Sequence, residues 1–214
     1  LKIALLGGSF NPVHLGHLIL ADCVCDEFGY DRVVFVPTFV PPHKHVVCPV
    51  PDEKRLKMLE LALAGNERFV YDSCEIDRGG VSYTYDTVCF LEEKYKNVLE
   101  GKIGLIIGND LVADFNKWNH AEELASKTDI IIACREDVDE VETESMNAPV
   151  GEYGNGKDEL SLESFPYPHK IVHNPSVKIS SSQVRQRAAQ KKSFRYLVTE
   201  KVFEYILNEH LYER

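Results

Sequence analysis

Residues 7–17 read Gly-Gly-Ser-Phe-Asn-Pro-Val-His-Leu-Gly-His, directly behind the run Lys2-Ile3-Ala4-Leu5-Leu6. Ile3–Leu6 has the length and apolarity of a short buried strand. Gly7 and Gly8 lack Cβ atoms, so the chain can turn sharply there and bring its amides close to a ligand. Ser9 adds a hydroxyl, and Pro12 fixes φ just ahead of a helix that the pattern starts near Val13–His14. His14 and His17 are three apart and so share one face of its first turn. Two imidazoles at a helix N-terminus, behind a glycine turn, form a site for phosphate oxygens. The pair can also be read as metal ligands, but His-x-x-His lacks the further His, Cys or carboxylate of the usual helical pattern. A purely structural turn is the remaining reading.

Outward from this stretch, strand-like and helix-like segments alternate. Lys2–Leu6 is followed by a helix to Phe28, with Gly29 as its stop. Val33–Val36 is a second buried strand. A helix over Asp52–Ala64 sets Leu56, Leu59 and Leu63 on one face, with Asp52 as its cap. Phe69–Ile76 reads as a strand, Tyr85–Tyr95 as a helix and Ile103–Ile107 as a strand. Short helices are expected over Leu111–Phe115 and His120–Ser126, then strands over Asp129–Cys134 and Lys170–His173. Helices over Gln183–Ala189 and Glu200–Leu211 close the chain. This alternation predicts an α/β protein with a parallel, doubly wound sheet, which binds ligands at the carboxyl ends of its strands. The glycine turn falls at such an end.

A chain of 214 residues is long enough for one domain with a full core, here read as spanning 1–214 with a helical segment near 180–214. No apolar stretch approaches a membrane span and the N-terminus carries no signal-peptide pattern, so a cytoplasmic protein is expected, without membrane partners. Six cysteines without CxxC spacing read as reduced thiols. The net charge of −10 is local, because residues 136–168 hold ten Asp or Glu against Lys157 alone. That segment reads as a solvated acidic surface loop or insertion. No basic stripe interleaved with aromatics is present, which excludes nucleic acid as the expected partner.

Three further groups of residues carry chemistry. Pro41-Pro42-His43-Lys44 follows the second strand, and its stiffened loop offers two cationic or hydrogen-bonding groups. Read alone, an exposed basic turn serves as well. Ile179-Ser180-Ser181-Ser182-Gln183-Val184-Arg185 sets three hydroxyls at a helix start, with the Arg185 fork about a turn away, suited to phosphate oxygens. A plain serine cap with a surface arginine is the alternative. Ser82-Tyr83-Thr84 precedes a helix whose free amides can receive a carboxylate. Gly108-Asn109-Asp110 ends a strand where a ribose or adenine would lie. Trp118, the only tryptophan, can pack or can stack on a pyridine ring.

Gly8-Ser9-Phe10-Asn11-Pro12-Val13-His14-Leu15-Gly16-His17 resembles the signature of nucleotidyltransferases that transfer AMP or CMP from a nucleoside triphosphate. Pro41–Lys44 followed by Arg55-Leu56-Lys57-Met58-Leu59 resembles a loop and helix of the bacterial nicotinate-nucleotide adenylyltransferases. Ile179–Arg185 resembles the second ATP signature of the same superfamily, and Tyr196–Tyr212 resembles that family's closing helix. The resemblance implies a Rossmann-like fold with a small helical C-terminal part, and AMP transfer from ATP to nicotinate mononucleotide in NAD biosynthesis. It implies an ATP site of Gly7, Gly8, Ser9, Phe10, His14, His17, His43, Lys44, Gly108, Asp110, Ile179, Ser180, Ser181 and Arg185. Asn11, Ser82, Tyr83, Thr84, Trp118 and Arg135 are the implied acceptor contacts. His17 would meet the α-phosphate with His14 beside it, and Lys44, His43 and Arg185 would hold the β and γ phosphates. Mg²⁺ would arrive with ATP, held mainly by phosphates and water rather than by protein ligands. A homodimer is compatible with the resemblance.

The nearest rival is phosphopantetheine adenylyltransferase, whose family is generally shorter and has Thr where His14 stands. The Pro-Pro-His-Lys loop and Trp118 also favour nicotinate. Another rival is an adenylyltransferase preferring nicotinamide mononucleotide, the choice of carboxylate over amide resting on the loop amides around Tyr83 and Thr84. A non-catalytic nucleotide-binding protein would bind ATP without releasing pyrophosphate for any acceptor.

Overall fold

The computed structural model describes residues 1–41, 50–135, 165–175 and 177–213, with Cys134 and Arg135 described by their backbone alone. The six strands among these are β1 (Ile3–Gly8), β2 (Arg32–Pro37), β3 (Phe69–Tyr71), β4 (Ile103–Gly108), β5 (Thr128–Arg135) and β6 (His169–Asn174). They form one sheet in the order β3-β2-β1-β4-β5-β6, every neighbouring pair parallel. A parallel sheet is covered on both faces, which is why β1, β2 and β4 are near-continuous apolar runs. Ala4, Leu6, Val33 and Phe35 face one layer, made by α1 (Leu15–Phe28), α2 (Asp52–Leu63), α6 (Ser181–Ala189) and α7 (Glu200–Asn208). Ile3, Leu5, Val34 and Leu105 face the other, where α4 (Thr84–Tyr95) and α5 (Ala121–Lys127) pack with Phe115. Fully burying one such side chain contributes about 1.5–3 kcal/mol, so the two layers together fix the sheet whose carboxyl edge carries the site.

The strand order reverses between β1 and β4, whose registers run Ala4–Gly104 to Leu6–Ile106. In this topology the connections from β1 leave toward one face and those from β4 toward the other, opening a crevice above the pair. Gly104 lets Tyr30 lie directly against β4: a Cβ there would sit 2.5 Å from the Tyr30 hydroxyl oxygen. Among the described residues no helix is long and apolar enough to cross a membrane.

Four expectations are corrected. The strand from Phe69 stops at Tyr71 and gives way to a short helix, α3 (Cys74–Arg78). The Asp72 carboxylate accepts the Cys74 N–H at 2.9 Å, a local turn that ends the strand and begins the helix. Asp52 does not cap α2: Pro51 stands at the cap, and Asp52 instead pairs with Arg55. The last helix ends at Asn208 rather than Leu211. There the Leu211 N–H reaches the Ile206 carbonyl and the His210 N–H the Leu207 carbonyl, with His210 in the left-handed region at φ 50°. This is a Schellman closure with His in the place glycine usually takes. Finally, the acidic segment does not stay solvated to residue 168, since Phe165 is buried with its ring 5.3 Å from Phe115. Residues 136–164 of that segment lie outside the described residues.

Candidate active site

The crevice between β1 and β4 holds a cavity of about 330 Å³. One end is walled by Gly7, Gly8 and Ser9 at the close of β1, and its floor by Ile107 and Gly108 at the close of β4. The other end is walled by Ser82, Tyr83 and Thr84 at the start of α4, with Trp118 beside them. Gly7, Gly8 and Ser9 of the expected triphosphate turn therefore share one continuous space with Ser82, Tyr83, Thr84 and Trp118 of the expected acceptor set, while Asn11, His14, His17, Ser180, Ser181 and Arg185 stand outside its wall.

Behind that space, the turn after β1 is held from outside by its carbonyls. Phe10 takes φ 43° and the Asn11–Pro12 peptide is cis. The Phe10 ring is buried under Gly8 and lies 5.1 Å, edge-on, from the His17 ring. The Ser9 carbonyl accepts from Arg55 Nη1 at 2.7 Å, the Asn11 carbonyl from Arg185 Nη1 at 2.7 Å, and the Pro12 carbonyl from the Ser181 hydroxyl at 2.8 Å. The Asn11 side-chain oxygen accepts from the Tyr212 hydroxyl at 2.6 Å. Three elements distant in sequence, α2, α6 and the turn after α7, thus clamp three carbonyls and one side chain between Ser9 and Pro12. Pre-ordering of this kind lets a site bind an anion without first freezing its own loop.

His14 is the N-cap residue of α1, in an extended conformation. Its backbone N–H donates to His17 Nδ1 at 3.2 Å, and the two rings stack with centroids 3.7 Å apart. Nδ1 being an acceptor, the proton of the neutral His17 ring sits on Nε2, which becomes a hydrogen-bond donor at the positive end of a 14-residue helix. At α6, Ser180 is the N-cap, accepting the Gln183 N–H at 3.1 Å. Ser181 and Arg185 join that helix start to the β1 turn, while Arg185 Nη2 also reaches the Ser182 hydroxyl at 3.0 Å. Arg185 keeps further N–H donors for a phosphate.

The acceptor end is equally fixed. The Ser82 hydroxyl accepts the Phe39 N–H at 3.1 Å and the Ser82 N–H donates to the Val40 carbonyl at 2.8 Å. This pins the start of α4 to the segment after β2. Tyr83 caps α4 with extended backbone and makes no side-chain cap, so the first-turn amides keep their donors for a ligand. Trp118 is half-buried, its ring 5.1 Å from Phe115, and so packs on the core with one side while lining the cavity with the other.

Not every expected residue faces this space. The side chains of Phe10 and Ile179 belong to the core. Asp110 is exposed, its carboxylate over Gly108 in the space a Cβ there would need. His43 and Lys44 lie outside the described residues, as does the side chain of Arg135 at the end of β5. Three contributors escape sequence reasoning. Arg55 is 1% exposed and holds the Ser9 carbonyl; its signal was a cation on the helix face that carries Met58 and Leu59. Tyr212 comes from the last turn, through the Schellman closure. Glu75, 6% exposed on α3, lines the acceptor end of the cavity. Its Oε1 accepts from the Thr87 hydroxyl at 2.6 Å. Burial raises the Glu75 carboxyl above its usual range, against the opposing pull of the Thr87 and Ser82 hydroxyls and of Arg78 and Arg55. Among the described residues, no group of three or more His, Cys, Asp or Glu could hold a metal ion.

A parallel 3-2-1-4-5-6 sheet with a glycine turn and helix N-terminus at its switch point defines a nucleotide-binding α/β protein. Residues 5–187 match the family described as Cytidylyltransferase-like. The probable nicotinate-nucleotide adenylyltransferase of Treponema pallidum is 40% identical over 215 aligned positions, covering 99% of each chain. That of Lactiplantibacillus plantarum is 37% identical, covering all of this chain and 89% of its own. Among solved structures, the Plasmodium falciparum nicotinic acid mononucleotide adenylyltransferase complexed with NaAD superposes with a TM-score of 0.70 at 18% identity, covering 99% of this chain and 97% of that one. The last comparison speaks to the fold. The chain belongs to the nicotinate-nucleotide adenylyltransferase family, within the cytidylyltransferase-like proteins.

Proposed function

We propose that this chain transfers AMP from ATP to the 5′-phosphate of nicotinate mononucleotide, forming deamido-NAD and releasing pyrophosphate. The observation that carries the reading is the single cavity running from the β1 glycine turn to the uncapped amides of α4. Its two ends suit the two anions that the reaction must bring together.

An oxygen of the acceptor phosphate attacks the α-phosphorus as the bond from that phosphorus to the bridging oxygen breaks, and the electron pair leaves with pyrophosphate. A phosphate monoester has its second pKa near ~6, so the nucleophile is already dianionic at neutral pH and needs no base. The site must align two repelling anions and stabilise the charge that moves onto the leaving group. In this reading His17 donates from Nε2 to the α-phosphate, and His14 and the α1 N-terminus position neighbouring oxygens. Arg185 carries the β1 turn and a phosphate together, and His43 and Lys44 hold the β and γ phosphates. Gly108 and Asp110 stand where adenosine lies. The amides at Tyr83 and Thr84 receive the ring carboxylate, Trp118 stacks on the ring, Asn11 orders the turn between the two substrates, and Arg135 completes the acceptor site. ATP enters as its magnesium complex; the amide and hydroxyl donors of the wall suit phosphate oxygens rather than a resident metal. Mg²⁺ supplies charge neutralisation between phosphates. The reading is of a cytoplasmic enzyme, and a homodimer is compatible with it.

Label position tests the reaction class. ATP labelled at the α-phosphate delivers its label to the dinucleotide, while a γ label leaves as pyrophosphate. Recovery of the γ label in the organic product contradicts adenylyl transfer.

A further inference from the structure

Among the described residues Glu75 is the one buried carboxylate on the cavity wall, and the phosphate chemistry above does not use it. It sits on α3, one layer behind the turn that begins α4. Its Oε1 accepts a hydrogen bond from the hydroxyl of Thr87, in the first turn of α4 and itself 1% exposed. The Thr87 N–H in turn bonds the Tyr83 carbonyl at 3.3 Å, so the peptide that presents the Tyr83–Thr84 amides is held to the same residue.

We propose that Glu75 is a positioning residue for the acceptor: through Thr87 it sets the start of α4, whose amides receive the acceptor's ring carboxylate. The proposal rests on nicotinate mononucleotide being the acceptor. Two physical points follow from the arrangement. The α4 amides select a carboxylate only if they converge, and a 1 Å displacement of such donors costs a large share of their effect. A second carboxyl group so close to the ligand's own carboxylate is tolerable only while it is uncharged, because like charges in a half-dry cleft repel strongly. Burial works in that direction at Glu75. The residue thereby supports discrimination between a ring carboxylate and a ring amide.

The test compares Glu75→Ala, Glu75→Gln and Thr87→Val with the unaltered protein, each titrated with nicotinate mononucleotide at saturating MgATP, and with MgATP at saturating acceptor. Glu75→Ala and Thr87→Val should raise KM for nicotinate mononucleotide by about tenfold or more with KM for ATP within about twofold. Glu75→Gln, which keeps an acceptor for Thr87 and carries no charge, should recover most of the acceptor affinity. Acceptor KM unmoved in Glu75→Ala overturns the proposal, as does an equal rise in KM for ATP or failure of Glu75→Gln to rescue. If Glu75→Ala does not fold, the near-isosteric Thr87→Val decides in the same way. An unaltered protein inactive with nicotinate mononucleotide overturns the functional reading itself; an active one with unmoved variants overturns the role of Glu75 alone.

Discussion

Replacing Arg55 by Met asks whether the clamp on the β1 turn is a real determinant of the site. The Arg55 side chain is 2% exposed and donates to the Ser9 carbonyl at 2.7 Å and to Asp52 Oδ1 at 2.6 and 3.2 Å. Met fills a similar length of helix face, so packing loss is small. The Ser9 carbonyl loses a charge-assisted bond at a part-buried position, which costs about 1.5–3 kcal/mol. Asp52 is 31% exposed and regains water, so its share of the pair adds only about 0–1 kcal/mol. The total is about 3 kcal/mol, which for a chain of this size lowers Tm by about 6–12 °C. Because Ser9 lines the cavity, kcat/KM measured well below the transition should fall by about tenfold to a hundredfold. Differential scanning calorimetry and a pyrophosphate-release assay read the two quantities. A Tm shift under about 2 °C with unchanged kcat/KM would refute the reasoning.

The other predictions concern the chemistry, the core and pH. His17→Ala should depress kcat by about a hundredfold or more while changing KM little, since its contact strengthens in the transition state; a change in KM alone removes His17 from the reacting centre. Gly104→Ala places a methyl against the buried Tyr30 hydroxyl and should destabilise the protein by about 1–3 kcal/mol in denaturant titration; a neutral result means that Tyr30 can move aside. Glu75 is held above its ordinary value of 4.5 in the folded state by burial, so the folded form keeps a proton that the unfolded chain has already lost. Its contribution is full below the unfolded pKa and is lost as pH rises through the folded one. Melting curves from pH 4 to 8 should show Glu75→Gln gaining on the unaltered protein across that interval and then levelling; a constant difference contradicts the burial argument.

Much of this was legible in the chain because it rests on local rules. Val33–Val36 and Ile103–Ile107 are apolar enough to announce strands buried on both faces, and Gly29 announced the stop of α1. The β1 turn and the Ser180 cap were legible because glycine, proline and hydroxyl residues mark backbone geometry directly. The misses share a cause: a residue committed to one particular bond or backbone turn imitates a different local signal. Asp72 closes a strand by bonding its own backbone, where the apolar alternation of Phe69–Ile76 suggests continuation. His210 does the work of a helix-ending glycine, which hid both the end of α7 and the return of Tyr212 to Asn11. Asp52 looks like a cap but is spent on Arg55. Arg55 and Glu75 become site residues only through burial, and burial of a charged side chain is a property of the tertiary contacts.

The most direct measurement is pyrophosphate release from MgATP with nicotinate mononucleotide, nicotinamide mononucleotide and phosphopantetheine in parallel. The account predicts turnover with the first, a kcat/KM for the second lower by about tenfold or more, and none with the third. Preference for nicotinamide mononucleotide or phosphopantetheine would contradict the acceptor half of the site, and ATP binding without pyrophosphate release for any of them would contradict the reaction.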